Sequence, residues 1–238
     1  MDISELKPGD KHYMAYVGPP TQYDFMGATQ FCLLFVLGLR AHHHVLDFGC
    51  GSLRAGRLFI SYLDKSRYFG IDPNYWLIED GIKNHVGKDL IGIKKPKFDD
   101  NRNFASDVFD QKFDFILAQS IFSHSGSDIV ETALHNFKTS LKPGGLIAAT
   151  FIEGANDFSG SGWVYPDCVH YRHSTILQLS EKVCLFTMRI PWYHPRQTWY
   201  LLAEDARRLP NLEMMRHLSG AVLFDSEFKD SWEKGHVS

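Results

Sequence analysis

The chain has 238 residues, 44% of them hydrophobic, which suits one domain with a core of its own and leaves too little for two. A formal net charge of −3 carries no overall basic bias, so nucleic acid is not expected as a partner and small or neutral substrates are favoured. The longest apolar run, residues 31–37, falls far short of the roughly 20 residues a membrane helix needs, and a cytoplasmic protein without a membrane anchor is expected.

The four cysteines, at 32, 50, 168 and 184, form no C-x-x-C pair, so neither a disulfide framework nor a zinc cluster is indicated. His42, His43 and His44 are adjacent, with no H-E-x-x-H and no partner at ligand spacing. They read as a polar lead-in to a strand, and no metal site is expected.

In chain order, residues 13–24 form an aromatic, proline-broken lead, and residues 29–39 read as a helix apolar on nearly every face, expected to be buried. The stretch VLDFGCGSLRAGR, residues 45–57, follows. An apolar strand end runs into a turn in which Gly49 and Gly51 permit close backbone approach, and the amides opening the next helix face outward. Asp47 just before the glycines would sit poorly beside a pyrophosphate, and Arg54 stands where G-x-G-x-x-G has its last glycine, so a cationic ligand suits this turn better than a dinucleotide.

Residues 55–63 read as a crossover helix and residues 68–74 as the second strand with its end, closed by Pro73. Asp72 falls where an open parallel sheet places an acid to accept from a ribose diol, although it also suits the N-cap of a helix over 76–84. Residues 86–104 are the least regular part. Residues 113–124 read as a buried strand that turns polar only at its end, 128–141 as a helix, and 142–145 as its Lys-Pro-Gly-Gly stop before a strand over 146–152. A long loop, 153–167, precedes a helix at 174–182 and a strand pair at 183–190 and 197–203. Beyond 204 a charged helix and a polar end carry no chemistry.

Four ordered stretches together resemble the class I S-adenosylmethionine (SAM) dependent methyltransferases. These are the Asp47–Gly51 turn, Asp72, the strand ending Gln119-Ser120-Ile121-Phe122-Ser123-His124, and Leu-Lys-Pro-Gly-Gly; the chain departs from the pattern at Leu53, where the family's first motif has a third glycine. The resemblance covers residues 20–203. It implies an α/β, Rossmann-like fold with a mostly parallel seven-stranded sheet, an antiparallel last strand and helices on both faces. It also implies a single methyltransferase domain over 1–238, with 1–40 covering the cofactor, 41–203 as core and 204–238 as helix and tail.

The same resemblance implies SAM as cofactor, held by Tyr23, Asp47, Phe48, Gly49, Cys50, Gly51, Arg54, Asp72, Pro73, Asn103, Phe104, Gln119 and Ser120. Tyr23 matches a residue that folds over the cofactor and equally suits an aromatic anchor for the first helix. Asp107 rivals Asn103 and Phe104 for the adenine edge. His124 is the expected general base, with a helix-capping role as its rival. His170, Tyr171, Trp192 and His194 are expected at the acceptor. The expected reaction is methyl transfer to oxygen or nitrogen of a small molecule by a monomer or homodimer. The rivals are a protein or RNA methyltransferase, a silent SAM-binding scaffold and a nicotinamide dehydrogenase.

Overall fold

The structure, a computed structural model, describes residues 5–220. Its strands are β1 (Val45–Phe48), β2 (Tyr68–Ile71), β3 (Lys97–Asp99), β4 (Phe113–Ala118), β5 (Leu141–Phe151), β6 (Phe186–Ile190) and β7 (Thr198–Ala203). They form one sheet in the order β3-β2-β1-β4-β5-β7-β6. Six strands share one direction, and β7 runs antiparallel to both neighbours, β5 and β6. This is the Rossmann-like sheet expected from the sequence. Its chain order reverses beside β1, the place where open α/β sheets bind ligands beyond the carboxyl ends of their strands.

The helices are α1 (Tyr23–Val36), α2 (Gly56–Tyr62), α3 (Tyr75–Gly81), α4 (Lys88–Lys94), α5 (Ser127–Ser140), α6 (His173–Lys182) and α7 (Leu212–Gly220). They cover both faces because the central strands are apolar on both. Leu46, Ile116, Ile147 and Leu202 join Val130, Leu134 and Phe137 of α5 and Ile176 of α6 in one core layer. Val45, Leu117, Leu146 and Leu201 join Leu33 of α1, Phe59 of α2 and Ile78 of α3 in the other.

Several boundaries differ from the sequence reading for identifiable reasons. The first helix starts at Tyr23 and is not buried all round, since Phe25 and Phe35 are exposed. Phe35 packs on Phe31 at 6.1 Å and on Tyr62 of α2 at 5.8 Å instead, and Phe25 on Tyr193 at 5.6 Å. Residues 86–104 hold α4 and the three-residue β3, both too short and too polar to leave a periodic signal. The fourth strand stops at Ala118, because Ser120 takes a φ of 61° and a 3-10 turn (Phe122–His124) follows. The Lys-Pro-Gly-Gly segment does not merely precede β5 but bulges within it, the register passing from Phe113↔Leu141 to Phe115↔Leu146. The charged helix expected beyond 204 is met as α7, and the polar end from 221 lies outside the described residues.

Candidate active site

The glycine turn is pinned to β2. The amides of Gly49 and Cys50 both donate to the Ile71 carbonyl, at 2.8 and 3.1 Å, and the Gly51 amide donates to Asp72 Oδ2 at 2.9 Å. Asp72 Oδ1 accepts from the Asn74 amide at 2.8 Å, so each carboxylate oxygen has one backbone donor and keeps lone-pair capacity for another. Burial raises the Asp72 pKa, and these amides hold it back. Asp47 is raised to about 6, first by burial and against the 2.8 Å hydrogen bond from Tyr68 Oη.

The two glycines are required. A Cβ on Gly49 would meet Ile121 Cδ1 at 2.2 Å and one on Gly51 would meet Val17 Cγ1 at 2.6 Å, at φ values of 80° and 51°. Leu53, at the family's third glycine, takes the same left-handed backbone, φ 60°, with its side chain fully buried among Ala55, Phe59 and Ile78. The chain thus keeps the turn's path and spends an apolar side chain where the motif has none.

The lead segment crosses this turn. Arg54 Nη1 donates to the Val17 carbonyl at 2.8 Å, and Tyr23 Oη donates to the Ser52 carbonyl at 2.9 Å. Tyr23 is buried, stacked on His85 at 5.3 Å with the Arg57 guanidinium over its ring at the same distance. Its hydroxyl is therefore committed to the turn. Burial lowers the Arg54 pKa to about 10. Farther out, Tyr16 meets Trp76 and Tyr165, both at 5.5 Å, so the lead bridges the residues after β2 to the loop after β5.

Beyond β4, Ser120 N donates to Thr150 Oγ1 at 2.8 Å and Ser120 Oγ accepts from Gln197 Nε2 at 2.9 Å, which fastens the β6–β7 turn to the end of β4. His194 Nδ1 accepts from the amides of Arg196 and Gln197, at 3.2 and 3.0 Å, so its proton resides on Nε2. Nε2 lies 3.4 Å from the nitrogen of the Gln119 amide, and two donors cannot face each other. The amide is accordingly assigned with its oxygen toward His194, leaving its NH2 at the buried position that has no protein partner. Burial, then the charges of Arg54 and Arg196, lower the His194 pKa to about 3. His194 is thus a neutral donor, unsuited to act as a base.

His124 has the complementary arrangement. Its Nδ1 donates to the Asp167 carbonyl at 2.6 Å, which fixes the tautomer and leaves the Nε2 lone pair available. Burial lowers its pKa, the Asp167 bond opposes this, and Arg196 adds to the lowering. The ring lies 5.0 Å from Tyr165 and 5.7 Å from Trp163. The wall is rigid. Val164 N donates to the His124 carbonyl, Val169 N to Ser123, Gly126 N to Gly162, and the Gly162 amide to the Asp128 carboxylate. The rest of the loop is tied down as well, Phe158 N donating to the His170 carbonyl and Arg172 Nε to the Ala155 carbonyl, both at 2.9 Å.

The structure therefore gathers Asp47, the 48–51 turn, Arg54, Asp72, Gln119, Ser120, His124 and His194 at the carboxyl edge of β1, β2 and β4. Pro73 is exposed next to Asp72. Phe104 stacks on Phe48 at 6.0 Å and meets Trp163 at 6.1 Å, while Asn103 and Asp107 are exposed. Two residues expected at the acceptor serve as struts instead. Tyr171 is buried with its hydroxyl donating to the Ser125 carbonyl at 2.7 Å, and Trp192 is buried with Nε1 donating to the Thr29 carbonyl at 3.1 Å. Both hold pocket segments from behind, because a buried ring with a satisfied polar tip has nothing left to present. His170 is exposed and rests against Gly154. Sequence reading names none of Tyr16, Trp76, Trp163, Tyr165 and Gln197 singly: it expects the aromatic loop over 153–167 at the acceptor as a whole, whereas Trp76 and Gln197 read only as the starts of a helix and a strand.

Comparison with known proteins agrees with this geometry. Residues 46–147 match the family model described as a methyltransferase domain, the span from β1 into β5. No curated protein matches the sequence. Among solved structures, a magnesium protoporphyrin IX methyltransferase from Synechocystis PCC 6803 with bound SAH is 10% identical with a TM-score of 0.58, over 78% of this chain and 84% of that one. An S-adenosylmethionine-dependent methyltransferase from Clostridium acetobutylicum ATCC 824 is 13% identical with a TM-score of 0.56, over 75% and 91%. A glycopeptide N-methyltransferase complexed with SAM is 8% identical with a TM-score of 0.58, over 75% and 94%. At these identities the likeness to each is one of fold.

Proposed function

We propose that this chain is a class I S-adenosylmethionine-dependent methyltransferase that methylates an oxygen or nitrogen of a small-molecule acceptor, with His124 as general base. The observation that carries this reading is the fixed tautomer of His124. A carbonyl at 2.6 Å holds the Nδ1 proton, Nε2 has no partner among the described residues, and Trp163 and Tyr165 flank the ring.

The residues present fit the cofactor. A buried amide NH2 on Gln119 lacks a protein partner, and the Arg54 guanidinium spends only Nη1 on Val17, so both can meet the carboxylate of an amino acid. Asp72 retains the lone pairs for a ribose diol, Gly49 to Gly51 give the close approach, and Phe48, Phe104 and Asn103 flank the place for a purine. The segment over 13–24 supplies the cover, with Tyr23 as its anchor on the turn. When bound, SAM supplies a methyl group on a positively charged sulfur that departs as a neutral thioether.

The chain's own contribution is positioning, exclusion of water and removal of one proton. Holding acceptor and donor in line supplies several kcal/mol of the barrier. The wall of Trp163, Tyr165 and Tyr16 excludes water, and His124 Nε2 takes the proton from an acceptor O–H or N–H. His194, proton on Nε2, orients Gln119. The reading is tested by screening hydroxyl and amine metabolites, peptides and RNA for SAM-dependent turnover, with SAM binding measured in parallel. Turnover confined to peptide or RNA would replace the small-molecule reading, and SAM binding without turnover on any class would favour a scaffold.

A further inference from the structure

Resting on the methyl-transfer reading above, we propose that the acceptor is a small aromatic carboxylate, its ring laid on Trp163 and its carboxylate held by Arg196. Trp163 is 47% exposed although it is rigidly mounted, with Tyr165 at 6.4 Å, Phe104 at 6.1 Å, His124 at 5.7 Å and a backbone bridge to Ser125. An indole that stays open while every neighbour is fixed, beside the only imidazole of the site with a free lone pair, is a platform for a flat ring.

Arg196 sits on the β6–β7 turn, whose flanking residues are both fastened to the end of β4: Gln197 to Ser120 Oγ at 2.9 Å and His194 to the Gln119 amide at 3.4 Å. Its backbone amide is spent on His194 Nδ1, yet its guanidinium has no hydrogen bond or ion pair among the described residues. Its charge nevertheless reaches both imidazoles, depressing the proton affinity of His124 and His194 alike. A cation so placed repels an ammonium acceptor and attracts an anion. The planar fork of a guanidinium matches a carboxylate in two parallel hydrogen bonds. His124 Nε2 then faces a second substituent of the same ring.

The test uses the full chain saturated with S-adenosylhomocysteine and titrated with benzoate or with neutral benzamide, read by calorimetry and tryptophan fluorescence. Benzoate should bind about 10-fold or more tightly than benzamide. Arg196→Gln should abolish that preference, Arg196→Lys should keep part of it, and Trp163→Ala should weaken both probes alike. Equal affinity of the two probes in the wild type, a preference that survives Arg196→Gln, or no binding of either probe would overturn the proposal. S-adenosylhomocysteine binding in the same samples separates the two levels. If it is absent, the methyl-transfer reading fails; if it is present without a benzoate preference, only the acceptor class does.

Discussion

The two halves of the site solve the same problem, a dry pocket, with different materials. On the β1–β2 side the two carboxylates are answered from within the β1–β2 unit, Asp72 by the Gly51 and Asn74 amides and Asp47 by the Tyr68 hydroxyl. On the β4–β7 side the ionisable groups are imidazoles: the Asp167 carbonyl, 43 residues along the chain, fixes His124, while His194 is fixed by the amides of its own turn and meets Gln119 from 75 residues away. Burial drives both toward neutrality, raising the acids and lowering the histidines. The carboxylate half is thus complete within one strand-turn-helix-strand unit, whereas the two imidazoles reach their places at the end of β4 only when segments 43 and 75 residues apart come together. Variants that affect binding alone or turnover alone would sharpen this division, and variants that affect both would break it.

The largest effect is expected from restoring the family glycine. Leu53→Gly relieves a left-handed backbone worth about 1–2 kcal/mol but opens a cavity in a filled core layer, a change of about 2–5 kcal/mol in the other direction. With the added freedom of the unfolded glycine chain, a net loss of roughly 2–4 kcal/mol is expected in urea unfolding. A stabilised variant would show that Leu53 is strained rather than spent on packing.

Next is His124→Ala, expected to lower turnover by about 10²-fold or more with SAM affinity unchanged. Because its pKa lies below the ordinary imidazole value, the wild-type ring stays neutral and competent somewhat below pH 6.5, and the acid limb of the turnover profile should fall there. Loss of SAM affinity in step with turnover would break the division between halves.

Asp72→Ala should act oppositely, costing about 1–3 kcal/mol of SAM affinity by calorimetry, since it removes an acceptor from the Gly51 and Asn74 amides as well as from the ligand. Unchanged affinity would remove Asp72 from the cofactor set.

The smallest effect concerns acid stability. His194, at about 3 in the fold and near 6.5 in the unfolded chain, favours folding fully above pH 6.5 and loses that contribution as pH falls toward 3. Asp47, raised to about 6, works in the opposite sense, its contribution being present below the unfolded carboxylate value and lost as pH rises through 6. His194→Gln should therefore flatten the stability curve between pH 6.5 and 4 in thermal melts. An unchanged slope would mean that another half-buried histidine, such as His44 at about 4, dominates.

Legibility followed the same division. Asp47, Gly49, Gly51 and Asp72 could be read because they lie within one strand-turn-helix-strand unit, whose spacing is dictated by local backbone geometry. Tyr165 and Gln197 could not be read singly, because their roles depend on which distant carbonyl or hydroxyl they reach, nor could Trp163, whose role depends on rings brought to it from other segments. Nothing in the spacing of 120 and 197 announces a hydrogen bond between them. Tyr171 and Trp192 were placed in the pocket by type, and tertiary burial assigned them behind it.

The contact of Tyr165 Oη with the Tyr16 carbonyl, at 3.4 Å, joins residues 149 positions apart. Closing so long a loop comes late in folding, since its entropy is lost before the contact rewards it. An intermediate with the central strands paired would already possess the glycine turn and Asp72, and could capture a nucleoside ligand, while its ceiling was still open to water. Ligand capture and turnover should therefore be recovered at different times during refolding, and a rise in cofactor affinity ahead of activity would date the arrival of the chain's first residues at the site.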